Sequence, residues 1–293
     1  LTQELLRMGS PPLPDAVSAA LTQSFGTHGP EPRAATLLLA RLARGKRSDV
    51  AGLMMRWLKT VGAEVNIFHY NVLLDAHAKS NTWEQALDII NVMVRGSLEM
   101  DTITYGAAIS ACEKGGEWVQ AIELLSAMVR GRVDMNTITC NSAISACGTV
   151  GHWSKALELL CVMLGFKVAM NTITYNAAIS SCEKGGEWLR ALDLLRTMML
   201  NDVEADTITY SAMISACEKG GEWIRAMELL ESMLHVSVEM DMFTYGAAIS
   251  ACEKGGAWML ALELLKAMEQ GRVDISAIAY IAAISACEKG DEW

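Results

Sequence analysis

The chain has 293 residues, and 52% of them are hydrophobic, enough to bury the core of two average domains or of one extended array. Charges or glycines interrupt every apolar run before it reaches about 18 residues, which excludes a transmembrane helix. A formal net charge of −10 argues against a duplex-DNA binder, which presents a basic face, and argues less against a chain that holds RNA in a narrow groove.

The chain begins at Leu1 and ends at Trp293, part-way through a repeating unit, so it reads as a fragment and the lack of a targeting segment says little. Residues 1–31 form an irregular N-terminal segment or a degenerate repeat. Pro11, Pro12, Pro14 and Pro30 break it, leaving one short helix over Asp15–Phe25.

From residue 32 onward the sequence repeats itself. TITYGAAISACEKGGEW starts at Thr102, and close copies start at Thr137, Thr172, Thr207 and Met242, each 35 residues after the last. Trp83, Trp118, Trp153, Trp188, Trp223, Trp258 and Trp293 keep this beat, as do Met93, Met128, Met163, Met198, Met233 and Met268. The array therefore covers 32–293. Its units are 32–66 (degenerate), 67–101, 102–136, 137–171, 172–206, 207–241, 242–276 and a truncated 277–293.

Each unit predicts two helices. In the unit from Thr102, Tyr105, Ala108, Ile109 and Cys112 share one face of a first helix. Gly115 and Gly116 stop it, and Glu117 stands in the first turn of the second. Trp118, Ala121, Leu125 and Met128 then form an apolar stripe that ends at Gly131. Neither helix can bury its face alone, so the expected fold is all-α: a superhelical solenoid of stacked antiparallel helix pairs. The tryptophans read as filling between units, not as stacking platforms for bases.

Six of the eight cysteines (Cys112, Cys147, Cys182, Cys217, Cys252 and Cys287) fall one repeat apart. That spacing, without any CxxC pair, predicts buried thiols in a reducing compartment and no metal site. The five histidines match no repeat position, and His69 and His77 read as surface residues. No HExxH, GxSxG or P-loop occurs, so no catalytic site, cofactor or metal is expected; a catalytic domain outside this chain is a separate matter.

The TITYN opening at Thr172, the Lys184-Gly185-Gly186 turn and ALDLLRTM from Ala191 resemble the pentatricopeptide repeat. The tetratricopeptide repeat is close in length, but the motifs resemble the former over about nine-tenths of the chain. The resemblance implies sequence-selective binding of single-stranded RNA, one base per repeat, in mitochondria or chloroplasts, for transcript stabilisation, processing, editing or translation.

Carried over, the resemblance makes each repeat's fifth and last residues the base readers. The fifth residues are Asn71, Gly106, Asn141, Asn176, Ser211 and Gly246. The last are Asp101, Asn136, Asn171, Asp206, Asp241 and Ser276. It implies uracil for Asn71 with Asp101 and for Asn176 with Asp206, a pyrimidine for Asn141 with Asn171, and guanine for Ser211 with Asp241. The glycine units would read no base well. It further implies that Phe68, Ile103, Ile138, Ile173, Ile208 and Phe243 sandwich the bases. Lys79, Lys114, Lys184, Lys219, Lys254 and Lys289 would meet phosphates, with Thr149 replacing the lysine in one unit. Where the family often has proline before the last residue, this chain has Met100, Met135, Met170 and Met240.

A plainer account of the same residues stays open. Asp, Asn and Ser before a helix are preferred N-caps without any RNA, and a recurring lysine is often a solvated charge. The acidic balance and the two glycine units favour the alternative function, a protein-binding helical-repeat scaffold without RNA specificity. Polar variation concentrated at the fifth and last positions favours RNA. Membranes and duplex DNA are not expected partners.

Overall fold

The computed structural model describes residues 1–26 and 28–290, and every regular element among them is a helix. Trp293, the last of the tryptophan series, lies outside the described residues. The chain divides into two compact units, Leu1–Ala146 and Cys147–Trp293.

The first unit holds α1 (Thr2–Arg7), α2 (Pro14–Phe25), α3 (Pro32–Arg44), α4 (Ser48–Thr60), α5 (Ile67–Lys79), α6 (Trp83–Arg95), α7 (Thr102–Gly115) and α8 (Trp118–Arg130). Helix α9 (Thr137–Thr149) runs through the division. The second unit holds α10 (Trp153–Gly165), α11 (Thr172–Gly185), α12 (Trp188–Leu200), α13 (Thr207–Gly220), α14 (Trp223–His235), α15 (Met242–Gly255), α16 (Trp258–Gln270) and α17 (Ala277–Lys289). No described helix is long and apolar enough to cross a membrane.

Within the first unit, α3, α5 and α7 stack on one another, and each packs against the helix that follows it. Within the second, α11, α13, α15 and α17 form the same kind of stack, with α12, α14 and α16 behind them. The predicted faces are the buried ones. Tyr105, Ala108, Ile109 and Cys112 of α7, and Ala121, Leu125 and Met128 of α8, are all sequestered from solvent. The thiols are packing groups: burial pushes Cys112 up to about 12 and Cys182, Cys217 and Cys252 up to about 11, which keeps them protonated and unreactive at neutral pH.

The N-terminal segment carries two helices, not one. Helix α1, too short to stand out by periodicity, lies on α3, and α2 lies on α4. Pro14 and Pro32 occupy first-turn positions, where a missing N–H costs nothing. Arg47 ties the segment down by donating to the carbonyls of Leu6, Met8 and Gly9, and Trp57 donates to Thr22 at 3.0 Å.

The two turns of each unit share one capping geometry. After α7, Gly116 takes φ 74°, its N–H bonds the carbonyl of Glu113, and the N–H of Glu117 reaches Cys112 at 2.9 Å. This paired closure needs a left-handed residue, the usual place for glycine. Glu117 therefore precedes α8 instead of lying in its first turn. After α8 the same closure recurs with Arg132 at φ 55°, and Val133 bonds Met128 at 2.9 Å. Ser97, Lys167, Asp202, Ser237 and Arg272 are also left-handed at this second turn.

The glycine just before each first turn has a different task. A Cβ on Gly115, Gly220 or Gly255 would overlap the indole of Trp83, Trp188 or Trp223, respectively, from the repeat before. The half-buried tryptophans are thus filling between units, and in the Lys-Gly-Gly turn the first glycine serves packing and the second serves the backbone.

His69 and His77 are buried, contrary to the surface placement expected from sequence. The His69 ring accepts from the Asn66 N–H at 3.1 Å, so its other nitrogen donates to Pro32 O at 3.0 Å. His77 bonds Thr82 at 2.7 Å. Burial lowers the pKa of both, favouring the neutral ring.

Gly221 (φ 75°) has open space around its missing side chain. Gly221→Ala should therefore lower stability through backbone strain alone, by about 1 kcal/mol. Gly221→Asn should cost less, since Asn81 holds the equivalent turn of an earlier unit at φ 55°. The midpoints of urea unfolding followed by circular dichroism check both.

Candidate nucleic-acid interface

A helix start leaves N–H groups without intrahelical acceptors, and the last residue of every complete unit from 67 to 276 supplies one. Asp101 accepts from the Thr104 N–H at 2.8 Å, Asn136 from Thr139 at 2.9 Å and Asn171 from Thr174 at 3.0 Å. Asp206 accepts from Thr209 at 2.9 Å, Asp241 from Thr244 at 2.8 Å, and the Ser276 hydroxyl from Ala279 at 3.2 Å. The capping role foreseen for these residues is their actual role in the fold.

In two units the fifth residue reaches the same place from the preceding first helix. Asn71 Nδ2 donates to Asp101 Oδ1 at 3.4 Å, and Asn176 Nδ2 donates to Asp206 Oδ1 at 3.0 Å. The structure therefore joins fifth and last residues directly in these two units. Two fifth side chains are recessed, Asn71 at 8% and Asn141 at 9% exposed, whereas Asp101, Asn136 and Asn171 are exposed; Asn176, Ser211, Asp206 and Asp241 are all half-buried. Gly246 faces open space, and a Cβ on Gly106 would meet Thr139 Cγ2 at 3.3 Å.

A third residue, not singled out from sequence, completes the cluster. The buried Thr104 hydroxyl lies 2.7 Å from Asn71 Oδ1 and 2.8 Å from Asp101 Oδ1. Thr209 lies 2.6 Å from Asn176 Oδ1 and 2.9 Å from Asp206 Oδ1. Thr244 pairs with Ser211 at 2.6 Å and with Asp241 at 2.8 Å. The repeated TIT spelling held the signal, but a buried threonine in a helix looks like packing until its neighbour across the repeat is known.

Burial raises the pKa of Asp101 and Asp206. Hydrogen bonds from the backbone and hydroxyl of Thr104 or Thr209, and from Asn71 or Asn176, outweigh it, and both carboxyls end below the usual range.

The second-position side chains stand out from the first helices. Phe68, Ile103, Ile138, Ile173, Ile208 and Phe243 are between 63% and 73% exposed, and Ile278, not assigned from sequence, is 70% exposed. Large apolar groups left in water at every repeat are not core, and each neighbours a fifth-and-last pair in sequence.

The lysines divide into classes. Lys219 pairs with Glu183 at 2.7 Å, Lys254 with Glu218 at 2.6 Å and Lys289 with Glu253 at 2.9 Å, each glutamate lying one repeat back. Lys79 pairs with Asp75 at 2.6 Å. Behind Lys114 and Lys184 the glutamate position holds Ala78 and Gly148, so that bridge cannot form. Among the described residues no group of three or more His, Cys, Asp or Glu side chains could hold a metal.

Family models match along the repeats. The PPR repeat family model matches residues 65–114 and 170–219, the PPR repeat model 103–133, 208–237 and 243–273, and the pentatricopeptide repeat domain model 123–184. No curated protein matches the chain in sequence. The fold is similar to that of the pentatricopeptide repeat protein PPR10 from maize, at 22% identity and TM-score 0.68 over 92% of this chain and 39% of that one. It is also similar to PPR10 in complex with an 18-nt psaJ RNA element, at 18% identity and TM-score 0.55 over 94% of this chain and 46% of that one. A further match is the PPR domain of Arabidopsis thaliana protein-only RNase P 1 in complex with tRNA. There the identity is 15% and the TM-score 0.54, over 61% of this chain and 95% of that one. The chain thus spans less than half of the PPR10 structures it matches.

A carboxyl whose folded pKa is depressed stabilises above its unfolded pKa and loses that contribution as pH falls through the folded value. The stability of the wild type relative to Asp206→Asn should therefore decline on acidification below about pH 4. Paired urea titrations across that window check it.

Proposed function

The chain belongs to the pentatricopeptide-repeat family, and from that premise we propose that it binds single-stranded RNA sequence-selectively, one base per repeat. The carrying observation is the direct bond between fifth and last residues, Asn176 Nδ2 to Asp206 Oδ1 at 3.0 Å, beside an exposed aliphatic side chain, Ile173. An amide N–H and a carboxylate oxygen at one point offer a donor and an acceptor to a base edge. An exposed isoleucine or phenylalanine from each of two successive units gives the base two apolar faces, as at Phe68 and Ile103 for Asn71 with Asp101.

The reading assigns uracil to units 67–101 and 172–206, a pyrimidine to 137–171 and guanine to 207–241. It leaves Gly106 and Gly246 without a reading side chain. Lys114 and Lys184, which have no inter-repeat glutamate, are the better phosphate partners than Lys219, Lys254 and Lys289. The proposed setting, in keeping with the family resemblance, is mitochondrial or chloroplast RNA metabolism (stabilisation, processing, editing or translation), with the array as a binding element and not a catalyst. A protein-binding scaffold is the second reading. It is favoured by the net charge of −10 and by the pairing of four of the six repeat lysines with carboxylates.

Fluorescence anisotropy at one near-physiological salt concentration tests the proposal, because phosphate contacts make affinity salt-dependent. An RNA carrying U-N-Y-U-G, 5′ to 3′ along units 67–241, should bind more tightly than a scrambled RNA or single-stranded DNA. Exchanging both Asp101 and Asp206 for Asn should move the preference from U towards C by roughly tenfold. Equal, weak binding of all three nucleic acids would return the last residues to capping alone and favour the scaffold.

A further inference from the structure

The geometry points to Thr209, with Thr104 in a similar contact, as a positioning residue that helps set which end of the neighbouring asparagine amide faces a ligand; we infer that base selectivity depends on this buried hydroxyl. The inference rests on the proposed RNA reading for its consequence, but its geometry is independent of RNA.

The Thr209 hydroxyl oxygen accepts from the Asp206 backbone N–H at 3.1 Å. Its single proton is thereby directed to the other side, where Asn176 Oδ1 lies at 2.6 Å and Asp206 Oδ1 at 2.9 Å. With its oxygen turned to Thr209 the amide accepts the hydroxyl proton; turned the other way, that oxygen would face the Asp206 carboxylate oxygen with no proton between them, so hydroxyl and carboxylate set the orientation together. The nitrogen then falls at 3.0 Å from Asp206 Oδ1 and donates one of its two protons there. Reversing the amide would replace the N–H···carboxylate bond with two facing acceptor oxygens and forfeit the hydroxyl-to-amide bond in a half-buried cluster.

The locked amide offers its remaining N–H, and no carbonyl, to anything arriving from solvent. Thr209 is fully buried and cannot itself touch a base. Its influence passes through Asn176 and Asp206, the two groups its hydroxyl touches. An N–H donor beside a carboxylate acceptor suits uracil, with a carbonyl oxygen next to N3–H. It opposes cytosine, whose corresponding edge presents an amino donor and a ring-nitrogen acceptor.

Two other units show a related contact. Thr104 holds Asn71 Oδ1 at 2.7 Å, and Thr244 holds the Ser211 hydroxyl at 2.6 Å. Of the two units with no fifth side chain to hold, Gly246 is followed by Ala279 where the threonine would stand, whereas Gly106 is followed by Thr139.

The test compares Thr209→Val, which keeps the shape and removes the hydroxyl, with Thr209→Ser, which keeps the hydroxyl. Two RNAs carry U or C at the nucleotide matched to unit 172–206. T209V should lose roughly tenfold of the U-over-C preference with the salt dependence of binding unchanged, and T209S should retain it. A merely structural loss would weaken both RNAs alike, and circular dichroism establishes that each variant is folded. The Asn176 side-chain amide signals in RNA-free protein, assigned by their loss in Asn176→Ser, give a second readout. They should shift in T209V and stay in place in T209S. An unchanged preference together with unmoved amide signals in T209V would overturn the inference. If wild-type protein distinguishes no base at all, the RNA reading falls separately, and the amide signals alone decide the lock by the same criterion.

Discussion

A single hydrogen bond recurs at the head of the first helices: the last residue of one unit accepts from the backbone N–H three residues on. The bond answers a backbone need that exists with or without a ligand, because the first N–H groups of a helix have no partner within it. It also fixes where the last side chain sits. In the units that end at Asp101 and Asp206 the same oxygen gathers a threonine hydroxyl and an asparagine amide from the preceding first helix. Helix initiation, contact between repeats and the proposed reading pair are therefore one cluster, and a residue unable to cap would disturb all three.

Stacking supplies what a lone helix pair lacks. Trp188 fills the space that Gly220 leaves in the next unit, and Trp223 does so at Gly255. The Thr102 hydroxyl donates to Asp134 O at 2.9 Å, and Thr207 donates to Glu239 O at the same distance, each pinning a helix start to the end of its own unit. The Lys–Glu pairs bridge first helices one repeat apart but lie in water on the lysine side, so they contribute little to stability. Their larger effect is on charge: each cancels a cation that the face would otherwise offer to phosphate.

Much of this was legible in the sequence because the repeat prints the same instruction many times. The 35-residue beat, the two helices, the glycine stop and the buried cysteine all follow from periodicity and local chemistry. What escaped depends on neighbours one repeat away. Arg132 and its equivalents look unremarkable until the turn's left-handed backbone is seen, because tertiary stacking and the paired closing bonds override residue preference. His69 and His77 gave no periodic sign of burial, since they replace repeat residues in a single unit. The lysines could be counted but not paired, because Glu183 meets Lys219 only through the stack. The fifth residues could be named, but their recession behind the last residues, and the threonine that orients them, required the geometry.

The account's central claim is that the order of fifth-and-last pairs along the chain dictates an RNA sequence. Selection from a random single-stranded RNA pool, followed by sequencing of the bound fraction, tests this without assuming the answer. The account predicts enrichment of U-N-Y-U-G, with no base preferred at the nucleotide facing Gly106. Enrichment of an unrelated motif, or none above the input pool, would contradict it.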